Sequence, residues 1–201
     1  MALPLHLIGM SEIQSIAGLS LAEIAALAAR EKTPPVHLWN PPDCGNSAMR
    51  ILADGRWLHE GTPINRIALV QLFASILRRD PDGSYWVVTP VERQSVDVDD
   101  APFVAVELQV TGAGRGQALA FRLNTGGIVI AGAEHPIRVG AGDAGPKPYL
   151  HVRGDAGHPL EARIERAVYY ELAEMALEHP EQTVHGVWSQ GAFFPLDGPA
   201  P

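Results

Sequence analysis

The chain is 201 residues long, with 46% hydrophobic and 19% charged residues, an ordinary globular balance with room for one large or two small cores. Its net charge of −8 excludes general affinity for nucleic acid or anionic membrane, both of which need a basic footprint. The single cysteine, Cys44, excludes an intrachain disulfide and a thiolate zinc cage and suits a reducing cytoplasm.

The opening Met1–Met10 lacks a basic leader and a clear cleavage site, and no apolar run reaches the ~18 residues of a membrane span. A soluble, unprocessed, cytoplasmic protein is expected. Ser20 with Glu23 forms a capping box, and Leu21, Ile24, Leu27 and Ala28 supply one apolar face of a short helix. Thr33, Pro34 and Pro35 end it. Residues 34 to 45 are too proline-rich for regular structure, with Trp39 expected to pin the segment to a core. This stretch is either a linker or one wall of a site.

Met49 to His59 reads as two strands around an Asp54-Gly55 turn. A helix follows whose inward face is Leu69, Leu72, Phe73, Ile76 and Leu77. Pro81-Asp82-Gly83 turns into a strand over 84 to 89, and the alternation of Gln94 to Asp99 marks a half-exposed strand. Its aspartates read as a solvated face and not as metal ligands.

From Phe103 the chain is strand-rich, with strands over 103 to 110, 117 to 124 and 128 to 131. The glycines at 112, 114 and 116 precede a strand, so they read as a hairpin turn; a phosphate loop must open a helix. A second hairpin around Gly154-Asp155 leads into a helix over 165 to 178, with Tyr169, Leu172, Ala173, Ala176 and Leu177 inward. Strands over 184 to 189 and 192 to 196 follow, and Asp197 to Pro201 is expected to fray.

Residues 49 to 89 and 149 to 189 superpose without a gap at an offset of 100, each spelling hairpin, helix, strand. Shared identities are Ile64/Ile164, Arg66/Arg166, Leu72/Leu172, Leu77/Leu177 and Val87/Val187. Either this is a true duplication or it is a chance run of common elements; duplication implies a seam where equivalent residues converge. The expected fold class is α+β, with duplicated hairpin-helix-strand units and antiparallel sheets. The expected division is an N-terminal helical segment over 1–34, a first repeat domain over 35–100 and a second, with a longer sheet, over 101–201.

Thirteen of the fifteen basic residues are arginine. The guanidinium is the better fork for phosphate or carboxylate, and the base composition of a GC-rich genome gives the same bias. Arg66 and Arg166 each open a helix, where the dipole disfavours a cation, so a ligand anion or an ion pair should justify them. Thr89 and Ser189 end equivalent strands as small hydroxyls. Tyr149, His151 and Arg153 share a strand face, offering an aromatic plate, an imidazole and a guanidinium, and Trp188 adds a second stacking surface. Each of these also has a plain structural reading as a strand-end hydrogen bond or a polar outer face. The eight histidines hold no metal motif, and no Gly-x-Ser-x-Gly elbow is present. No cofactor is expected.

Pro34-Pro-Val-His-Leu-Trp-Asn-Pro-Pro42, Gly61-Thr-Pro-Ile-Asn-Arg66, Leu69-Val-Gln-Leu-Phe73, Tyr85-Trp-Val-Val-Thr-Pro-Val-Glu92, His135-Pro-Ile-Arg138, Tyr149-Leu-His-Val-Arg153 and Gly186-Val-Trp-Ser-Gln-Gly-Ala-Phe-Phe194 together resemble the bacterial family called domain of unknown function 1285, over about residues 34 to 195. The resemblance implies a duplicated α+β core and a second domain superficially similar to pleckstrin-homology folds. It also implies a ligand pocket at the domain interface, a nucleotide-like ligand and a signalling role. It transfers no catalytic residue.

The leading functional expectation is a cytoplasmic ligand-sensing module. The seam would bind a small anionic, nucleotide-like molecule, with Arg66, Arg153 or Arg166 on the phosphate and Tyr149 or Trp188 on the base. The alternative is a protein-interaction adaptor that docks through a sheet edge or through Phe193-Phe194-Pro195. A third, an enzyme acting on a phosphate or ester, lacks a nucleophile-base pair and a metal cage.

Overall fold

The structure, a computed structural model, describes residues 15–29, 33–142, 145–155, 157–177 and 184–197. The expectations for Met1–Met10 and for the last four residues of the tail lie outside these. Helix α1 (Leu21–Ala28) begins at Ser20, whose side chain and that of Glu23 form the expected reciprocal cap. The first half then carries β1 (Asp43–Ile51), β2 (Trp57–His59), β3 (Thr62–Pro63), α2 (Ile67–Ser75), β4 (Leu77–Arg79), β5 (Tyr85–Val88) and β6 (Arg93–Val98). The second half carries β7 (Phe103–Thr111), β8 (Ala118–Leu123), β9 (Ile128–Ile130), β10 (Ile137–Gly140), β11 (Lys147–Arg153), β12 (Leu160–Ile164), α3 (Arg166–Leu177) and a separate hairpin of β13 (Gly186–Ser189) and β14 (Ala192–Pro195). Among the described residues no helix is long and apolar enough to cross a membrane.

The two six-stranded sheets have one topology. The first runs β3-β2-β1-β6-β5-β4 and the second β9-β8-β7-β12-β11-β10. Each is a pair of three-stranded meanders joined by pairing the first strand with the last, and that central pair is parallel in both. The fold is therefore mixed α+β and duplicated, but each sheet holds one parallel pair where wholly antiparallel sheets were expected. The hairpin, helix and strand of each predicted unit exist at the expected places, yet they are not equivalent in the sheets. β1 corresponds by position to β7 and not to β11, and the strand after α3 leaves the second sheet to form its own hairpin.

Three local readings change for physical reasons. The proline-rich segment enters β1 already at Asp43, and register shifts between Asp43 and Met49, with Gly45 at φ 91°, absorb the irregularity. Its anchor is the buried Val36, with Arg78 donating to the carbonyls of Val36 at 3.2 Å and Trp39 at 2.8 Å; Trp39 is only half-buried. Helix α2 stops at Ser75, so Leu77 starts β4 in place of closing the helix face. Val70 and Ala74 are the buried residues of α2, while Leu72 is 47% exposed. In α3 the buried stripe is Val168, Leu172 and Ala176, and Leu177 faces water.

A single apolar core spans both halves, from Met49, Trp57 and Leu77 through Phe103, Phe121 and Leu150 to Leu172 and Phe194. Polar stitches flank it. The Gln71 amide of α2 donates to the Thr125 carbonyl at 2.8 Å, and Arg163 donates to the Ala53 carbonyl at 3.0 Å. The segment before the first half crosses to the second: the Glu107 carboxylate accepts from Ser15 and from the Ile16 and Ala17 amides, and Ile16 and Ile24 pack on Ala120.

Candidate functional site

The seam between the halves is a network of paired charges. The Tyr149 hydroxyl donates to Asp100 at 2.6 Å. Arg138 lies over the Tyr149 ring at 4.3 Å and grips Glu161 through two hydrogen bonds of 2.6 and 2.5 Å. Arg163 stands 3.6 Å from the other Asp100 oxygen. Burial, with the bond to Asp100, pushes the Tyr149 phenol up to about 12. From the first half Tyr85 faces the same charges beneath Arg79, and burial raises its phenol as well.

Arg153 is part of this closure. Its guanidinium donates to the carbonyls of Ala74 and Leu77, the latter at 3.1 Å, and lies over Phe103. A cation thus sits at the negative end of α2, where the helix dipole and the unpaired carbonyls favour it. The contact ties α2 of the first half to β11 of the second. The seam is consequently filled by the protein's own hydrogen bonds.

Open space lies instead within the first half, between α2 and the face of the first sheet. A cavity of about 410 Å³ is lined by Met49, Ile64, Leu69, Phe73, Ile76 and Val87, with Ser47, His59, Thr89, Glu92 and Gln94 as its polar members. The origin of the space is visible in α2. This helix is nine residues long, Arg66 at its N-cap makes no side-chain cap, and only Val70 and Ala74 are buried. Leu69, Phe73 and Ile76 cover the sheet without filling the gap, although Phe73 stacks on Trp57 at 6.3 Å.

The polar members differ in how they are engaged. Ser47 donates to the Ser95 carbonyl at 2.7 Å. Thr89 closes the turn into β6: its amide and hydroxyl both donate to the Glu92 carbonyl, at 2.9 and 3.1 Å, and its oxygen accepts the Glu92 amide at 3.2 Å. The side chains of His59, Glu92 and Gln94 form no hydrogen bond or ion pair among the described residues. Such groups are open to a ligand.

Of the residues expected at a site, Thr89 alone lines this cavity. Tyr149 and Arg153 lie at the seam; His151 contacts the second half, its Nε2 3.0 Å from the Gly154 carbonyl, and a register shift parts it from Arg153. Ser189 is fully buried; it donates to the Ala131 carbonyl at 2.7 Å and accepts the Leu119 amide at 2.9 Å, which fastens the β13–β14 hairpin to the second sheet. Trp188 packs on Phe193 with Arg115 4.8 Å above its ring. Arg66 and Arg166 are exposed at the starts of α2 and α3, and neither has an ion pair among the described residues. The groups missed from sequence are His59, Glu92 and Gln94. Glu92 and Gln94 carried one signal, proximity to Thr89 and a spacing of two that puts both on one face; His59 carried none.

Family models described as "Domain of unknown function (DUF1285), N-terminal domain" and "Protein of unknown function (DUF1285), C-terminal domain" match residues 34–101 and 102–196. The cavity falls wholly in the first of these. The chain is similar to the crystal structure of a DUF1285 family protein from Silicibacter pomeroyi DSS-3, at 45% identity and a TM-score of 0.76, over 89% of this chain and 94% of that one. It also matches a DUF1285 family protein from Shewanella baltica OS155, at 26% identity and a TM-score of 0.49, over 64% of this chain and 91% of that one. No curated protein matches it.

Proposed function

The chain belongs to the DUF1285 family, and within it we propose a ligand-sensing module whose site is the cavity beneath α2. The observation that carries this reading is the combination of an apolar chamber of about 410 Å³ with rim side chains that have no partner among the described residues. At about 30 Å³ per water-sized group, the chamber takes a ligand of about a dozen non-hydrogen atoms. The expectation of an anionic, nucleotide-like ligand at the seam shifts accordingly, because Arg138, Arg153 and Arg163 are engaged with protein acceptors.

The role is binding and relay, not catalysis. Occupancy presses on Phe73 and Ile76, and the end of the same helix is held by Arg153 of the second half. The second half, six strands followed by α3, is read as a superficially pleckstrin-homology-like output module. An exposed, unpaired Cys44 fits the reducing cytoplasm in which we place it.

A thermal-melt panel of alkyl and aryl probes beside mononucleotides, dinucleotides and flavin tests the reading. A ligand at 100 times its dissociation constant stabilises by about 2.7 kcal/mol. Apolar probes are expected to raise the melting temperature, and Leu69→Trp, which fills the chamber, to abolish the rise. Stabilisation by nucleotides alone moves the site to the seam. A flat panel favours the protein-interaction adaptor.

A further inference from the structure

We infer that the cavity beneath α2 selects amphiphiles whose head group is a protonated amine, held at the rim by the Glu92 carboxylate. This rests on the reading of the cavity as a ligand site and adds the chemistry of the head group.

Among the described lining residues Glu92 is the one carboxylate, and no lysine or arginine accompanies it. The cation nearest in sequence, Arg93, is drawn to the opposite strand face, where its guanidinium lies 4.3 Å from the Trp86 ring and bonds Asp80 at 3.0 Å. Among the described residues Glu92 is thus left without an ion-pair partner while Asp80, Asp99, Glu107 and Glu161 each have an arginine. Two residues on, the Gln94 side chain reaches the same chamber, and its carbonyl oxygen is a second free acceptor. An ammonium donates three hydrogen bonds and accepts none, which suits a carboxylate beside an amide oxygen. A fatty acid would bring a second carboxylate to an unneutralised one.

The rim is also held in place. Three hydrogen bonds between Thr89 and the Glu92 backbone fix the turn from which the carboxylate projects. From α2, Leu69, Phe73 and Ile76 bring only hydrocarbon to the chamber. One end of the ligand is therefore apolar and the other donates hydrogen bonds. Thr89 acts as a positioning residue for Glu92.

The test is calorimetric titration of the full chain with decylamine, decanol and decanoate below their micelle concentrations. Decylamine is expected to bind about tenfold more tightly than decanol, with decanoate weakest. Glu92→Gln should reduce decylamine affinity about tenfold to that of decanol and leave decanol unchanged. Thr89→Val should weaken decylamine alone, and Thr89→Ser should retain it. Decanoate binding as tightly as decylamine, or an unaltered decylamine affinity in Glu92→Gln, overturns the amine assignment while leaving the cavity a ligand site. Failure of all three probes to bind overturns the cavity reading itself.

Discussion

The side-chain amide of Asn124 donates to the carbonyl of Gly55 at 3.0 Å while its oxygen accepts the Val104 amide, also at 3.0 Å. One side chain thereby satisfies a backbone group in each half. Gly55 has φ +84°, and a Cβ there would lie 2.5 Å from the Asn124 amide nitrogen and 2.9 Å from Val104. Gly55→Ala should cost about 2–3 kcal/mol, combining left-handed backbone strain with the lost hydrogen bond. Urea unfolding monitored by tryptophan fluorescence measures it. The transition should stay single because one core spans both halves; a variant with the parent midpoint would mean that the junction contributes nothing.

Arg153 offers a second entry to the same boundary. Arg153→Ala leaves the Ala74 and Leu77 carbonyls without this donor and exposes Phe103, so stability should fall by about 2–3 kcal/mol. Amide exchange should then rise in the last turn of α2 before it rises in β7, and equal acceleration in both would count against a local cap.

Tyr149 makes the seam sensitive to alkali. Its folded-state pKa stands near 12 against an ordinary 10, so the folded protein holds this proton more tightly than the unfolded chain. The resulting stability is complete below pH 10 and is lost as pH rises toward 12. Tyr149→Phe should remove this part of the alkaline decline and lower stability at neutral pH by about 1–2 kcal/mol through the lost bond to Asp100. Chemical denaturation at a series of alkaline pH values compares the two proteins.

Glu107 predicts the opposite limb. Burial alone would raise its carboxyl, but bonds from Ser15, Arg122 and the Ile16 amide outweigh it and hold the group below its ordinary range. The attachment of residues 15 to 19 should therefore be complete above the ordinary carboxyl pKa and be lost as pH falls through the lowered folded value. Protection of the Ile16 and Ala17 amides from exchange, followed by NMR relative to the intrinsic rate at each pH, should fall in acid and, at neutral pH, in Glu107→Gln.

Ser189→Ala should lower stability by about 2 kcal/mol, since the Leu119 amide and Ala131 carbonyl lose their shared partner in the interior. Ligand binding in the first half should be unaffected. A matching loss of affinity would place the β13–β14 hairpin in the site after all.

Short-range chemistry was legible in the sequence. The Ser20–Glu23 cap, the Asp54-Gly55 turn, helix α3 and the β13–β14 hairpin all follow from residues that touch within a few positions. Strand β4 was hidden because Leu77 continues the helical spacing of Phe73 and Ile76, and the pairing of Leu77 with Val87 is what makes it a strand. The duplication was visible but misassigned: an offset of 100 lays α2 on α3 and β5 on β13, whereas the repeat in the sheets aligns β1 with β7. Arg153 read as a ligand group because its partners at Ala74 and Leu77 lie 79 and 76 residues away. The cavity is assembled from both strands of the first hairpin, α2, β5 and the start of β6, so no single window of sequence contains it.

The crossing of the N-terminal segment sets an order of events during synthesis. Ile16 and Ala17 leave the ribosome long before their acceptor Glu107, which follows 91 and 90 residues later. At translation rates of 5–20 residues per second the interval is about 5–20 s. Toward its end the first sheet can already close, because its last strand, β6, precedes β7. Residues 15 to 24, made before either sheet, are thus among the last to dock, as a latch thrown over the second sheet once that sheet exists.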